Sequence, residues 1–244
     1  MTIIDSLLNS LDMNASVRSV LVGAHWTVVS TRHCGLAASL TADGPHGRSH
    51  TRDVGKFHLK TPRQLAEYAR SDDLLEAGIG IAAINSLLDV DESQAIEINA
   101  GDVLAEGGRG RKVALIGHFP FVPQLRLVVG QLWVLEQHPI EDDYPAEAAA
   151  DLLPRADLVA ITGSALVNHT LDGLLGLCRP QATVMLLGPS TPLSPVLFEH
   201  GIDIVSGTRV FDEPAVLRTV GQGAAFHEVE GVKLLTIMHK KEKQ

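Results

Sequence analysis

The sequence predicts an α/β protein: a small α+β region followed by a Rossmann-like, doubly wound and mostly parallel sheet. Three observations carry this. Beyond residue 112, short apolar runs alternate with helical patterns, the rhythm of strand–helix–strand units. Those runs lack the polar alternation of half-exposed strands, as expected where helices cover both faces of a parallel sheet. The residues before that point follow a different rhythm, strands first and helices after.

Taken in order, the stretch Met1 to Asp12 carries Ile3, Ile4, Leu7, Leu8 and Leu11 at helical spacing, with Asp5 and Asp12 interrupting it and no basic region before it. It reads as an amphipathic helix rather than a secretory leader. Ser19 to Ser30 and Gly35 to Leu40 read as two strands of a β-hairpin turning at Thr31 to Cys34. A loop rich in Gly, His and Arg follows. Thr61 then precedes Pro62, a capping residue before a proline at the first helical position. Ser71 to Asp73 opens a second helix, in which Leu74, Leu75, Ile79, Ala82, Ala83 and Leu87 recur near the helical period. Gly78 and Gly80 lie inside that helix, where glycine costs about 1 kcal/mol against alanine, so another element is expected to approach closely. Asn85 falls on the same stripe as Gly78, Ile81 and Ala82, so its amide points at whatever comes near.

The polar, glycine-rich segment Asn99 to Lys112 suggests a boundary, dividing the chain into residues 1–106 and 107–244. After it, Val113 to Gly117, Gln131 to Glu136, Asp157 to Ile161, Thr183 to Leu187 and Ile202 to Val205 read as parallel strands. Ala146 to Leu153, Asn168 to Cys178 and Pro195 to His200 read as helices between them, and Val232 to Met238 as a final strand closing one edge.

Composition narrows the function. The chain has 244 residues, 45% hydrophobic and only 4% aromatic, which fits an aliphatic globular core. A net charge of −9 disfavours a nucleic-acid partner, since phosphate binding needs a concentrated cationic face. The basic cluster His239, Lys240, Lys241 and Lys243 reads as a solvated tail. Cys34 and Cys178 give neither a disulfide framework nor a paired thiol motif, so a reducing cytoplasm is the expected location. The apolar stretch Leu127 to Leu135 falls short of the ~20 residues of a membrane span. A homo-oligomer is left open.

In a doubly wound sheet, ligands bind beyond the carboxyl ends of the strands. The first such loop, Gly117 to Phe121, lacks the glycines that let backbone approach a pyrophosphate, so NAD is not expected. Glu136, however, lies 19 residues after Gly117 at the second strand's end, where an acid commonly holds a ribose. An adenosyl-type cofactor such as S-adenosylmethionine is therefore an alternative. After the third strand, Thr162, Gly163, Ser164, Asn168, His169 and Thr170 supply more small polar groups than one helix cap requires. Either Ser164 or Asn168 caps a helix, or the surplus cradles an anion or polar ligand. The loop from Gly188 to Pro195 is stiffened by prolines, leaving Ser190 and Thr191 as the groups able to touch a ligand.

Among 11 histidines, His46 and His50 lie four apart in a Gly/Pro loop where that spacing has no helical meaning, and His33 with Cys34 sits at a hairpin turn. His118 and His138 at adjacent strand ends, with Glu136, are the best candidates for a divalent heavy metal.

GIAAIN, VALIGHFP, LEQHP, ADLVAITGSALVNHTLDGLL and LLGPSTPLSP, in this order and spacing, resemble the family filed under heavy-metal chelation, a domain of unknown function. The resemblance spans nearly the whole chain, and TGSALVNHT and GPSTPLSP are its most specific parts. It implies an N-terminal domain similar to the enolase N-terminal fold joined to a Rossmann-like domain, with the site in the cleft between them. The positions matching its motifs are Asn85, Gly117, His118, Phe119, Pro120, Glu136, Pro139, Thr162, Gly163, Ser164, Asn168, Thr170, Gly188, Pro189 and Ser190. So many glycines, prolines and small hydroxyls suit a pocket for a small polar ligand better than a grip on bare metal; a metal held through a bound chelator satisfies both. A purely structural or partner-binding protein, with an empty and unpolarised cleft, is the third reading.

Overall fold

The computed structural model describes residues 1–41 and 51–239. His46, His50 and the lysines of the C-terminal tail lie outside them. The first part is built on a three-stranded antiparallel sheet, β1 (Ser19–Val22), β2 (Trp26–Ser30) and β3 (Cys34–Ala38), flanked by α1 (Ile3–Ser10), α2 (Pro62–Ala66) and α3 (Leu74–Leu87). The stretch expected to be one strand, Ser19 to Ser30, is thus two. The chain reverses at 23–25, where the Gly23 N–H donates to the Trp26 carbonyl, so the hairpin becomes a three-stranded meander.

Helix α3 explains its own composition. The Asp73 carboxylate accepts the Glu76 N–H to cap it, and nearly every residue after the first turn is buried. It packs against β2, β3, α2 and the helix α7 (Ser164–Val167) of the second part. A Cβ at Gly78 would meet the Ala38 carbonyl, and one at Gly80 would meet the Tyr68 and Ala69 backbone, so both glycines are there for close approach.

The second part holds an eight-stranded sheet of order β4-β11-β10-β9-β8-β5-β6-β7. Its strands are β4 (Ala95–Glu97), β5 (Lys112–Ile116), β6 (Gln131–Glu136), β7 (Tyr144–Pro145), β8 (Leu158–Thr162), β9 (Thr183–Leu187), β10 (Ile204–Val210) and β11 (Val232–Met238). Strands β5 to β10 are mutually parallel; β11 is antiparallel to them, and β4, paired antiparallel with β11, runs in their direction again. Read in chain order, the six parallel strands give 3-2-1-4-5-6, so strand order reverses between β5 and β8. The expected doubly wound, mostly parallel architecture is present.

One local expectation needs correcting, and one segment holds more structure than its composition announces. Strand β11 does not close the edge, because β4 pairs beyond it. The segment Asn99 to Lys112 contains a helix, α4 (Ala100–Gly107): the Asn99 side chain accepts the Gly101 N–H, and Val103 and Leu104 bury against β5. Its glycine at 101 makes room for the Phe121 ring, a tertiary reason that local composition does not reveal. The remaining helices are α5 (Val122–Arg126), α6 (Ala149–Leu152), α8 (Leu171–Leu177) and α9 (Glu213–Gly221). One apolar cluster runs without interruption from Ile3 and Leu7 through α3 to Trp133, Val159 and Leu186, so the two parts share a core. Among the described residues, no helix is long and apolar enough to cross a membrane.

Candidate functional site

A cavity of about 1080 Å³ opens at the carboxyl ends of β5, β6, β8 and β9, where the strand order reverses. Its size suits a drug-sized molecule or cofactor. Each strand end contributes by a local device. Gly117 and Gly188 leave β5 and β9 at φ of 103° and 107°, a backbone region that side chains disfavour, so the chain turns sharply and presents the residues after each glycine to the cavity.

After β5, the His118 N–H donates to Glu136 Oε1 at 2.9 Å, and the Gln137 N–H donates to Glu136 Oε2 at 2.9 Å. Two backbone donors therefore fix the Glu136 carboxylate at the cavity wall with its outer lone pairs still available. The His118 ring turns to Asp143, with Nδ1 2.8 Å from Oδ2 of a carboxylate whose side chain is 0% exposed. Arg126 stands 3.7 Å from the other oxygen. Phe119 and Phe121 stack, ring centroids 5.2 Å apart.

After β8, the Thr162 Oγ1 accepts the Ser164 N–H at 3.3 Å. Neither Ser164 nor Asn168 caps a helix, which corrects the capping expectation. Gly163 holds the N-cap position of α7 and Thr170 that of α8, neither with a side-chain cap bond. The Asn168 Oδ1 instead accepts from the Thr170 N–H and hydroxyl, at 3.3 and 2.7 Å, bracing the loop. Helix α7 is one turn long, too short for a substantial macrodipole, so the polar surplus acts through side chains and loop shape.

Of the residues singled out from sequence, Gly117, His118, Phe119, Pro120, Glu136, Thr162, Ser164, Asn168, Thr170, Gly188 and Pro189 line this cavity. Gly163 lies behind the wall, where a side chain would strike Thr191. Asn85 and Ser190 join the two parts: Asn85 Nδ2 donates to the Leu36 and Ser190 carbonyls at 2.8 and 3.3 Å, and the Ala38 N–H donates to Ser190 Oγ at 2.9 Å. Ser190 is 1% exposed. Pro139 and His138 are exposed beyond Glu136 and are not on the wall.

Sequence reasoning missed several wall residues. Trp26 and Leu40 come from the first part; Phe226 and His227 follow α9; Asn99, Phe121, Gln124 and Ser206 come from the large-sheet side. Trp26 meets Phe226 edge-to-face, with centroids 5.4 Å apart. No local pattern announces these residues, because each reaches the cavity through tertiary packing. Phe121 alone belongs to a strand-end loop that the strands themselves point to, and its aromatic ring is the signal that could have found it.

Among the described residues, the side chains at this wall do not form a donor set suited to a bare metal ion: no three His, Cys, Asp or Glu side chains gather in a group able to hold one. His118 is engaged with Asp143, and His33 turns its Nε2 to Asp89 at 2.9 Å rather than joining Cys34. Burial pushes the Cys34 and Cys178 thiols up to about 11, so neither offers a thiolate at neutral pH.

Comparison with known proteins places this architecture. An uncharacterized protein of Methanocaldococcus jannaschii is 29% identical over 160 residues, 63% of this chain and 62% of that relative, so the chain matches less than two thirds of its length. A solved DUF364 protein of unknown function from Desulfitobacterium hafniense superposes with a TM-score of 0.86 at 29% identity, covering 97% of this chain and 98% of that one. Another from Pyrococcus horikoshii gives 0.83 at 19% identity over 98% and 100%, a likeness of fold. The DUF4213 family model matches residues 4–88 and the DUF364 model residues 99–239, both described as "Putative heavy-metal chelation". With more than half its length matched by the second of these, and the first part by its companion, the chain belongs to the DUF364 family.

Proposed function

We propose that this protein binds a small organic ligand of polar character in the cavity at the strand-order reversal, between its two parts. The observation that supports this most directly is convergence: the ends of four adjacent parallel strands meet at one 1080 Å³ cavity, with Glu136 from β6 and Thr162, Ser164 and Asn168 from the β8 end as its polar groups. Preformed concave sites with a few placed polar groups on an apolar wall are how proteins hold small molecules. Because the described side chains do not gather as a metal-binding group, a heavy metal enters this reading only inside an organic chelate. That reconciles the family's description with the donors present. Native mass spectrometry combined with elemental analysis of freshly purified protein tests it. A retained small molecule, with or without stoichiometric metal, supports the reading. Stoichiometric metal without any organic companion overturns it.

A second reading, an enzyme using an adenosyl-type cofactor, rests on Glu136 alone: the carboxylate ends the second strand of a 3-2-1-4-5-6 sheet, where an acid holds a ribose. Protection against thermal unfolding by S-adenosylmethionine, lost in Glu136→Gln, would favour it over the first.

A further inference from the structure

The chain is poor in aromatic residues, with six phenylalanines and two tryptophans among 244 residues, yet four of these eight line a single cavity. Trp26, Phe119, Phe121 and Phe226 arrive from separate elements, and all four are half-buried rather than sealed in a core. Phe119 and Phe121 pack on the core beneath β5, and Trp26 and Phe226 on the core of the small sheet, yet each pair, one stacked and one edge-to-face, also borders an open space. The titratable groups on the described wall are Glu136, His118 and His227. Glu136 is held by two backbone N–H donors, and no lysine or arginine is paired with it among the described residues. Ring faces attract cations through their quadrupole, and they stack on flat conjugated systems.

We infer that the cavity takes a flat, conjugated organic cation, its ring against Trp26, Phe119, Phe121 and Phe226 and its charge toward Glu136. This rests on the proposed binding role of the cavity and names the ligand class within it. Stacking gives area contact that is tolerant of ring identity, while the single carboxylate sets the preferred charge. A chelate built on a flat heteroaromatic skeleton with net positive charge belongs to this class; a phosphorylated ligand does not.

Three probes of similar size and different charge test the inference by isothermal titration of the full chain at neutral pH: N-methylquinolinium, quinoline and 2-naphthoate. The cation should bind roughly tenfold more tightly than the neutral ring, and the anion most weakly. Glu136→Gln should bring the cation to the level of quinoline and leave quinoline unchanged. The double variant Phe119→Leu, Phe226→Leu should weaken cation and neutral ring alike, roughly fivefold or more. In a Trp133→Phe background Trp26 is the sole tryptophan, so saturable quenching of its fluorescence locates the probe without relying on the double variant folding normally. Equal binding of all three probes, tightest binding by 2-naphthoate, or binding that leaves Trp26 emission unchanged overturns the ligand class. The first two of these leave the cavity reading standing, provided Trp26 is quenched. If none of the probes binds, the class falls. The cavity reading falls with it only if Thr162→Ala and Ser164→Ala also keep whatever small molecule copurifies.

Discussion

Helix α3 and the loops beyond the parallel strands use the same residues, glycine, asparagine and serine, for opposite ends. In α3, Gly78 and Gly80 let backbones touch, Ser86 is buried, and the Asn85 amide bonds the Leu36 and Ser190 carbonyls, so every small residue removes space. At the strand ends, Gly117 and Gly188 take positive φ, and Asn168 braces a loop through Thr170, so the same residue types hold space open. The difference shows that small and polar residues announce close approach or a cavity only together with the elements around them. It also sorts substitutions: those in α3 should act on stability, those at the strand ends on ligand.

The largest effect is expected at Gly80. A side chain there falls on the Tyr68 and Ala69 backbone, which cannot yield as a flexible side chain would. Gly80→Val should cost more than about 3 kcal/mol, beyond ordinary overpacking, and leave little folded protein in a urea titration. Gly176→Ala in α8, where a Cβ meets nothing within 4 Å, should instead stabilise by roughly 0.5–1 kcal/mol. Equal outcomes at the two sites would break the comparison.

Next comes Glu76 at the start of α3, 1% exposed. Burial alone would raise its pKa, but hydrogen bonds from Arg52 and Ser71 outweigh that and hold it at about 2, against an ordinary value of 4.5. A carboxyl depressed on folding contributes stability above its unfolded pKa and loses it as pH falls toward its folded one. The contribution should therefore be complete near neutral pH and disappear between about pH 4.5 and 2. Allowing for solvent screening by the exposed Arg52, it is worth about 1–2 kcal/mol. Urea midpoints of the unmodified chain should fall across that window more steeply than those of Glu76→Gln.

Of similar size is Asn85→Ala, which leaves the Leu36 and Ser190 carbonyls without their donor and should cost about 1–2 kcal/mol. Because Asn85 stands behind the cavity wall, ligand affinity should change less than stability. A variant of normal stability that fails to bind would move Asn85 to the ligand side of the comparison.

The large sheet was legible because its strands are covered on both faces, which writes them as apolar runs: Val113 to Ile116, Leu158 to Ile161 and Val184 to Leu187 stand out without context. Strand β4 was not, since Ala95–Glu97 is an exposed-edge segment that owes its conformation to pairing with β11. Helix α4 was hidden by its glycines, of which Gly101 answers to the distant Phe121 and Gly107 to Leu158. The site was half legible. Strand-end loops can be found from strands, but Trp26 and Phe226 reach the cavity only through the packed fold. The division into residues 1–106 and 107–244 is a proposal that limited proteolysis tests. A stable fragment beginning after residue 107 supports it, whereas one beginning near residue 90 moves the boundary ahead of β4.

The smallest stability change, and the sharpest test of the comparison, is expected at the loop after β8. Thr162 Oγ1 accepts a single N–H, from Ser164 at 3.3 Å, in a half-buried setting where water can replace it. Thr162→Ala should therefore cost less than about 1 kcal/mol. Among the described residues the Ser164 hydroxyl forms no hydrogen bond, so Ser164→Ala should be close to neutral in the empty protein. Both side chains stand on the cavity wall, where a hydrogen bond to a neutral ligand group is worth roughly 0.5–1.5 kcal/mol and one to a charged group about 1.5–3. Thermal melts with and without the copurified molecule separate the two effects. Each variant should melt within a few degrees of the parent when empty and show a smaller ligand-induced rise. If both keep the full rise, the strand-end loops serve the fold as α3 does, and the contrast between the two regions collapses to one of packing density.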